Sequence, residues 1–185
     1  MSVRRIVTGH DPDGKAVIQS DGAVPKVFDE LGPPGLAFME IWETRAAPAP
    51  IAPREPEPTD HDLRLLPPAH GVRIRIVDLP PEGEGGTRAG ADPQAVFEKI
   101  GAPHAWSADA KHPFMHRTET IDYGIVLEGE VTLIVDRGET VVRAGDIVIQ
   151  RGTNHGWANR SDRNCRIAFI LIDGKFDDEL GDAGI

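Results

Sequence analysis

Alternating apolar and polar residues, separated by glycine turns, dominate the chain between residues 106 and 174. In the clearest run Val131, Leu133 and Val135 share one side of an extended segment. Side chains of a strand point alternately to its two faces, so this period of two predicts a β-strand. The sequence Asp136–Glu139 that follows, DRGE, predicts a hairpin turn. The pattern indicates a domain built almost wholly of short strands and turns.

The segment GVRIRIVDL predicts an earlier core strand, with Val72, Ile74 and Ile76 on one face. Arg73 and Arg75 lie on the opposite face of the same strand. These two arginines either recognise a carboxylate or face water, and the pattern alone leaves both interpretations open.

Three more elements are predicted nearer the N-terminus and in the middle of the chain. Residues 4–19 contain two short strands around a Pro-Asp-Gly turn, which predicts a hairpin. Residues 36–44, LAFMEIWET, predict another strand because large side chains recur at alternate positions. Residues 94–100 predict a short helix, since Asp92 is a good N-cap and Pro93 suits the first helical position.

The stretch 46–68 has too many prolines to pair as a central strand and is predicted to be an extended connection. We therefore expect residues 1–69 to form a β-hairpin and a proline-rich arm that pack on the main domain. Residues 70–176 form the predicted barrel, and residues 177–185 form an acidic tail.

Composition narrows the range of partners and compartments. The formal net charge of −10 argues against nucleic acid, because binding to phosphates needs a clustered basic surface. The longest apolar run, residues 167–172, is far shorter than the roughly 20 residues of a membrane-spanning helix. The one cysteine, Cys165, lies in an apolar run and is expected to be a buried thiol. These features predict a cytoplasmic protein.

Candidate chemistry is concentrated in four residues of the strand-rich region. If the chain is extended from His116 onwards, Thr118 and Asp122 project to the same side. His155, from a later strand, can then join them inside a barrel. Two imidazoles and one carboxylate form a ligand set that leaves open positions on Fe, Mn, Ni or Zn. The metal ligands predicted on this basis are His116, Asp122 and His155.

The same residues resemble the first motif of the cupin family, in particular small single-domain cupins with a conserved barrel. His116 occupies the first histidine position and Gly129 the closing glycine. Asp122 stands where the family has a glutamate, and Thr118 stands where it has a second histidine.

The second cupin motif is matched further along the chain. Gly145 opens it, Gly152 and His155 follow, and Asn159 closes it with the family's spacing after the histidine. Gln150 replaces the family's proline, and the spacing before His155 is one residue short. The resemblance implies a double-stranded β-helix, or jelly roll, whose motif residues point into the barrel mouth. We thus expect an all-β fold with an N-terminal β extension and one short helix.

The resemblance also implies an enzyme that acts on a small organic acid, phenol or polyketide-like compound. Dioxygenation, decarboxylation, isomerisation and lyase chemistry are all open, because a fold does not select a reaction. In this reading His116, Asp122 and His155 hold a divalent transition metal (Fe, Mn, Ni or Zn). The predicted catalytic residues are His116, His155 and Thr118, with the Thr118 hydroxyl bonding to a bound water or substrate oxygen.

Several alternatives stay open. Without metal, either histidine paired with Asp122 can act as a general base. His116 and His155 can also be structural, which would make the protein a non-catalytic small-molecule-binding cupin with a degraded metal site. The three tryptophans either line an apolar pocket or pack in the core: Trp42, Trp106 and Trp157. Because the N-terminal hairpin has little apolar surface of its own, it should cover a sheet edge, and a homodimer is expected.

Overall fold

The computed structural model describes residues 3–83, 92–106 and 109–181. Within these ranges the chain forms eleven strands and two short α-helices. The strands are β1 (Arg4–His10), β2 (Ala16–Ala23), β3 (Lys26–Phe28), β4 (Ala37–Thr44), β5 (Val72–Leu79), β6 (Thr120–Glu128), β7 (Glu130–Val135), β8 (Gly138–Arg143), β9 (Ile147–Arg151), β10 (His155–Ala158) and β11 (Cys165–Asp173). The helices are α1 (Pro93–Lys99) and α2 (Asp178–Gly181), and a 3₁₀ turn spans Pro103–Ala105.

Two antiparallel sheets form the barrel. One has six strands in the order β3-β4-β5-β11-β6-β9, and the other has three in the order β10-β7-β8. Side chains from both sheets meet in the main core, which contains Val77, Leu79, Val126, Val131, Val142, Trp157, Cys165 and Ile167. This arrangement confirms the predicted all-β jelly roll, because the two sheets face each other across a shared apolar core.

The predicted local elements also form. The hairpin β1–β2 turns at Gly14, where φ is 77°, and the Asp11 carboxylate accepts hydrogen bonds from the backbone amides of Asp13 and Lys15. The Asp92 side chain caps helix α1 by accepting a hydrogen bond from the Gln94 amide. The acidic tail contains one element that was not predicted, the short helix α2.

The proline-rich segment passes along the barrel as an extended chain. It has no strand or helix between Thr44 and Val72. The buried Arg73 side chain donates hydrogen bonds to the carbonyl oxygens of Arg64 and Leu66 in this segment, at 2.8 and 2.6 Å. The segment thereby satisfies polar groups at the edge of the barrel. The exact boundaries at 69/70 and 176/177 stay a prediction.

The structure changes the interpretation of strand β5. Its arginine face, not its isoleucine face, is turned towards the barrel interior, where Arg75 lies beside Val77 and Leu79. Ile76 instead packs on the outer side with Val24 and Met39.

Within the described residues, no helix has the length and apolar character needed to span a bilayer.

Gly129, between β6 and β7, provides a test of the barrel's tightest turn. Its φ is 76°, and a Cβ added there would lie 2.6 Å from the Asn164 carbonyl oxygen. Gly14 has nearly the same φ, 77°, but open space around it. We expect Gly129→Ala to lower the free energy of unfolding by about 2–4 kcal/mol, against about 1 kcal/mol for Gly14→Ala. Urea unfolding of both variants measures the difference, and equal losses would contradict it.

Candidate functional site

Two histidines predicted from the sequence meet at the wall of the barrel. His155 begins β10, and His116 forms an isolated antiparallel bridge with it. Each backbone amide donates to the other residue's carbonyl oxygen, at 2.8 and 2.9 Å. This pairing brings the centroids of the two imidazole rings to 4.4 Å. Residues 39 positions apart in the chain therefore share one site because the backbone connects them directly.

Backbone carbonyls set the tautomer of both rings. The Nδ1 atom of His116 lies 3.0 Å from the Phe114 carbonyl oxygen, and that of His155 lies 3.0 Å from the Thr153 carbonyl oxygen. A carbonyl oxygen only accepts, so Nδ1 is the donor in each case and the neutral ring carries its lone pair on Nε2. Metal-binding histidines are commonly oriented in this way.

Burial keeps His155 neutral. Desolvation, followed by the proximity of His116, lowers the pKa of His155 to about 3. Its imidazole is uncharged at physiological pH. A base this weak is unsuited to proton abstraction but suited to donating a lone pair to a metal.

Asp122 lies on β6 with its carboxylate inside the barrel. It is 7 % exposed, and its Oδ1 atom has no hydrogen-bond partner. Burial raises its pKa to about 6, while a hydrogen bond from Thr120 and the charge of Arg75 act in the opposite direction. Asp122 is therefore the group of this site that exchanges a proton near neutral pH.

Thr118 has surroundings different from those predicted for a catalytic hydroxyl. It is buried, and its Oγ1 atom lies 2.7 Å from the Oγ1 atom of Thr120. Among the described residues that line the cavity, His116, Asp122 and His155 are present and Thr118 is not. The hydroxyl of Thr118 joins that of Thr120, whose own hydrogen bond reaches Asp122.

The predicted ligands are of the right chemical type for a metal ion, but they are not arranged as a three-ligand site. Two imidazoles lie side by side, and the carboxylate of Asp122 has an unpartnered oxygen on the same cavity. Across residues 3–83, 92–106 and 109–181, however, no three His, Cys, Asp or Glu side chains are grouped so that they could hold one ion. The structure thus brings the histidines together and leaves Asp122 as a separate member of the wall.

Apolar side chains form most of the cavity. The volume open to the centre of a water-sized sphere is about 120 Å³. This is many times what one water molecule needs, so a small organic molecule fits. The apolar lining residues are Leu31, Leu36, Phe38, Leu65, Val77, Leu79, Val96, Phe97, Ile100, Phe114, Trp157, Phe169 and Leu171.

Aromatic rings shape the two ends of this cavity. Phe97, on α1, packs against His116 with ring centroids 5.3 Å apart. Trp157 meets Phe169 edge to face at 5.4 Å. A Cβ at Gly124 would lie 3.2 Å from the Phe169 ring, so a larger residue there requires this ring to move by a few tenths of an ångström. Trp157 both packs in the core and lines the cavity, so the two alternatives for the tryptophans are combined in this residue.

Arg75, for which the sequence left carboxylate recognition and exposure to water both open, is buried in the cavity wall beside a carboxylate. It lines the cavity with 3 % exposure, and its Nε atom donates to Glu40 Oε1 at 2.6 Å. It also donates to the Arg64 carbonyl oxygen. Burial lowers the pKa of Arg75, and the carboxylate of Glu40 counteracts this effect. The sequence offered one signal for this ion pair: Glu40 and Arg75 lie in two different predicted strands, and opposite charges often pair across neighbouring strands.

The Arg75–Glu40 pair generates a stability prediction. Arg75→Leu leaves the fully buried Glu40 without its closest cation and should cost about 3–5 kcal/mol of unfolding free energy. The double variant Arg75→Leu/Glu40→Leu removes both charges and should recover most of this loss. Urea unfolding of the single and double variants measures the coupling. Additive losses would show that the two charges do not depend on each other.

The two shifted groups generate a pH prediction for the metal-free protein. The pKa of His155 is lower in the folded state, so between about pH 6.5 and 3 the unfolded chain binds the extra proton and stability falls as pH falls. Asp122 acts in the opposite direction between about pH 6 and 4, because its folded pKa is raised. From pH 6.5 to 4.5, His155→Gln should flatten the decline and Asp122→Asn should steepen it. Urea unfolding with a chelator present tests both signs, and identical slopes would contradict them.

Comparisons with known proteins agree with the fold and motifs. The model of the family described as "Cupin domain" matches residues 102–172. The chain is 43% identical over 184 residues to the cupin-domain-containing oxidoreductase virC of Hypocrea virens, covering 92% of this chain and 76% of virC. It is 40% identical over 182 residues to the cupin-domain-containing oxidoreductase fogC of Aspergillus ruber, covering 92% and 72%.

A third relative is the phomopsin biosynthesis cluster protein C' of Diaporthe leptostromiformis. It is 30% identical over 178 residues, which cover 92% of this chain and 78% of that protein. These matches extend well beyond the barrel motifs into the N-terminal region. Together with the jelly roll and the paired motif histidines, they show that this chain belongs to the cupin family.

Proposed function

We propose that this chain is a cupin enzyme of the oxidoreductase type, acting on a small and largely apolar organic compound inside the barrel. The observation that carries the proposal is the pair of imidazoles, His116 and His155, whose ring centroids are 4.4 Å apart at the wall of an apolar cavity. The relatives named as cupin-domain-containing oxidoreductases support the reaction class.

The proposed cofactor is a divalent transition metal held by His116 and His155, with Asp122 as an additional carboxylate on the same cavity. Nitrogen ligands favour Fe, Mn, Ni or Zn over Ca or Mg. When bound, such an ion supplies Lewis-acid chemistry and, for Fe or Mn, redox chemistry. The tautomer of each imidazole suits this role because Nδ1 is already engaged by a carbonyl oxygen.

The other wall residues would bind and orient the substrate. Apolar side chains bury its carbon skeleton, and Phe97 shields the histidines from water. Arg75 and Asp122 present polar groups to the same space, so the substrate should carry a hydroxyl or carbonyl oxygen on its apolar body. Asp122, with a pKa of about 6, can hold or release the proton of such a group.

A second candidate is a cupin that binds a small molecule without catalysis. Two observations favour it: the described residues contain no group of three side chains that could hold one ion, and Thr118 stands at the position of the family's second histidine.

We also propose a cytoplasmic location. The one cysteine, Cys165, is a buried free thiol, and burial raises its pKa to about 11.

Metal analysis of the purified protein separates the two candidates. Wild type, purified without added ions and then loaded with Fe(II), should hold close to one metal per chain. His116→Ala and His155→Ala should each reduce the metal content to about a tenth or less, because each removes one of two nitrogen ligands. His104→Ala changes an exposed histidine and serves as the control.

Turnover is measured on the same four proteins with a panel of small phenols and alcohols that carry apolar substituents. Oxygen consumption and mass spectrometry of the products report oxidation. Metal and turnover that are both lost in the two site variants support the enzyme. Saturable binding without metal or turnover in any variant would establish the binding protein instead.

A further inference from the structure

The turn between β9 and β10 determines how the ring of His155 is oriented. The Thr153 carbonyl oxygen, in this turn, accepts the Nδ1 hydrogen of His155 at 3.0 Å. The direction of this carbonyl therefore decides which ring nitrogen keeps the proton and which one is left as a ligand atom. The Gln150 side chain donates to the same carbonyl oxygen, at 3.2 Å. The backbone bridge to His116 begins only at His155, so the orientation of the preceding turn depends on other contacts.

Arg117 connects this turn to the segment that carries the other histidine. It directly follows His116, and its Nε atom donates to the Gly152 carbonyl oxygen at 2.9 Å. Its own backbone amide donates to the Ala105 carbonyl oxygen, also at 2.9 Å. The carbonyl of Gly152 belongs to the planar peptide group that joins Gly152 to Thr153, so the hydrogen bond from Arg117 fixes the orientation of that peptide group.

The ring of Phe176, in the segment between β11 and α2, packs on this hydrogen bond. The guanidinium carbon of Arg117 lies 4.0 Å from the centroid of the ring, which is within the range of a cation–π interaction. The ring also lies against Gly152, since a Cβ added there would be 2.6 Å from its Cε1 atom. Phe176 therefore contacts both partners of the hydrogen bond between Arg117 and Gly152.

Glu119 holds the Phe176 segment in place. Its Oε1 atom accepts a hydrogen bond from the Phe176 amide at 3.0 Å. Its carbonyl oxygen accepts another from the Gly174 amide at 2.9 Å. Because Glu119 lies between His116 and β6, the C-terminal segment is attached to the same stretch of chain as the first histidine.

We propose that Arg117 and Phe176 are positioning residues for His155. The pair holds the peptide group between Gly152 and Thr153, so that the Thr153 carbonyl keeps the proton on Nδ1 and Nε2 stays available as a ligand atom. Among the described residues that line the cavity, neither member of the pair is present, so the pair acts through the histidine and not on a substrate. Its effect on metal binding rests on the proposed function, whereas its effect on the ring of His155 does not.

The first measurement is the tautomer of His155 in the metal-free protein, by ¹⁵N NMR of the histidine side chains with a chelator present. Spectra are recorded at about pH 8, above the ordinary pKa of histidine, and His155→Gln assigns the signals. Wild type should show a single form, with the proton on Nδ1. Phe176→Leu and Arg117→Leu should each lose this single form and add one with the proton on Nε2, because the carbonyl of Thr153 can then turn away.

Two control variants separate positioning from a general loss of stability. Phe176→Tyr keeps an aromatic ring over the guanidinium and should keep the single tautomer. Arg5→Leu removes an arginine from another aromatic contact, in which its guanidinium carbon lies 5.7 Å from the centroid of the Trp42 ring. This variant should lower the free energy of unfolding without changing the tautomer of His155. Circular dichroism and thermal unfolding check that every variant is folded.

The second measurement is the dissociation constant for Zn(II), by competition with a chelating dye. Phe176→Leu and Arg117→Leu should each raise it about tenfold or more, the usual cost of losing a group that orients a metal-binding histidine. A changed tautomer in both variants, with a wild type that binds no Zn(II), supports the positioning role and contradicts the proposed metal site. Zn(II) binding by wild type, with an unchanged tautomer in both variants, overturns the positioning role and leaves the metal site supported. A changed tautomer in Arg5→Leu as well would also overturn the positioning role.

Discussion

Burying charge inside a closed β-barrel is the constraint on which the architecture of this protein depends. Arg73 and Arg75 point into the barrel from β5, and each needs a carboxylate because an isolated buried charge is strongly unfavourable. Glu43 and Glu40 on the neighbouring strand β4 supply them. The pairing of β4 with β5 thus satisfies backbone hydrogen bonds and compensates buried charges in the same register.

Charge compensation on that wall determines what the cavity offers a ligand. Arg75 is held by Glu40 and by a backbone carbonyl, so its guanidinium is an ordered polar surface. Asp122 is a buried carboxylate on the cavity, and its Oδ1 atom has no hydrogen-bond partner among the described residues. The two imidazoles of the same cavity each donate the Nδ1 hydrogen to a backbone carbonyl oxygen, which leaves Nε2 available as a ligand atom. Burial keeps the His155 ring neutral. Most of the cavity surface is apolar, and hydrogen bonds within the protein hold its few polar side chains in place.

The two faces of the six-stranded sheet differ in composition and in what they contact. The inner face combines paired charges with aromatic rings and shapes the cavity. The outer face consists of apolar rows, partly covered by the residues that flank the hairpin.

The sequence by itself determined the jelly roll, the hairpin, the cap of α1 and the meeting of His116 with His155. These depend on local signals: alternation with a period of two, turn glycines, an N-cap and motif spacing. Only the tertiary structure decided which side of β5 faces inward, that Thr118 bonds to Thr120, and that Asp122 stands apart from the histidines. Alternation assigns the residues of a strand to two faces, but it does not say which face turns inward when either could be buried. The distance between side chains on different strands depends on how the strands pack, and the sequence of one strand does not specify it.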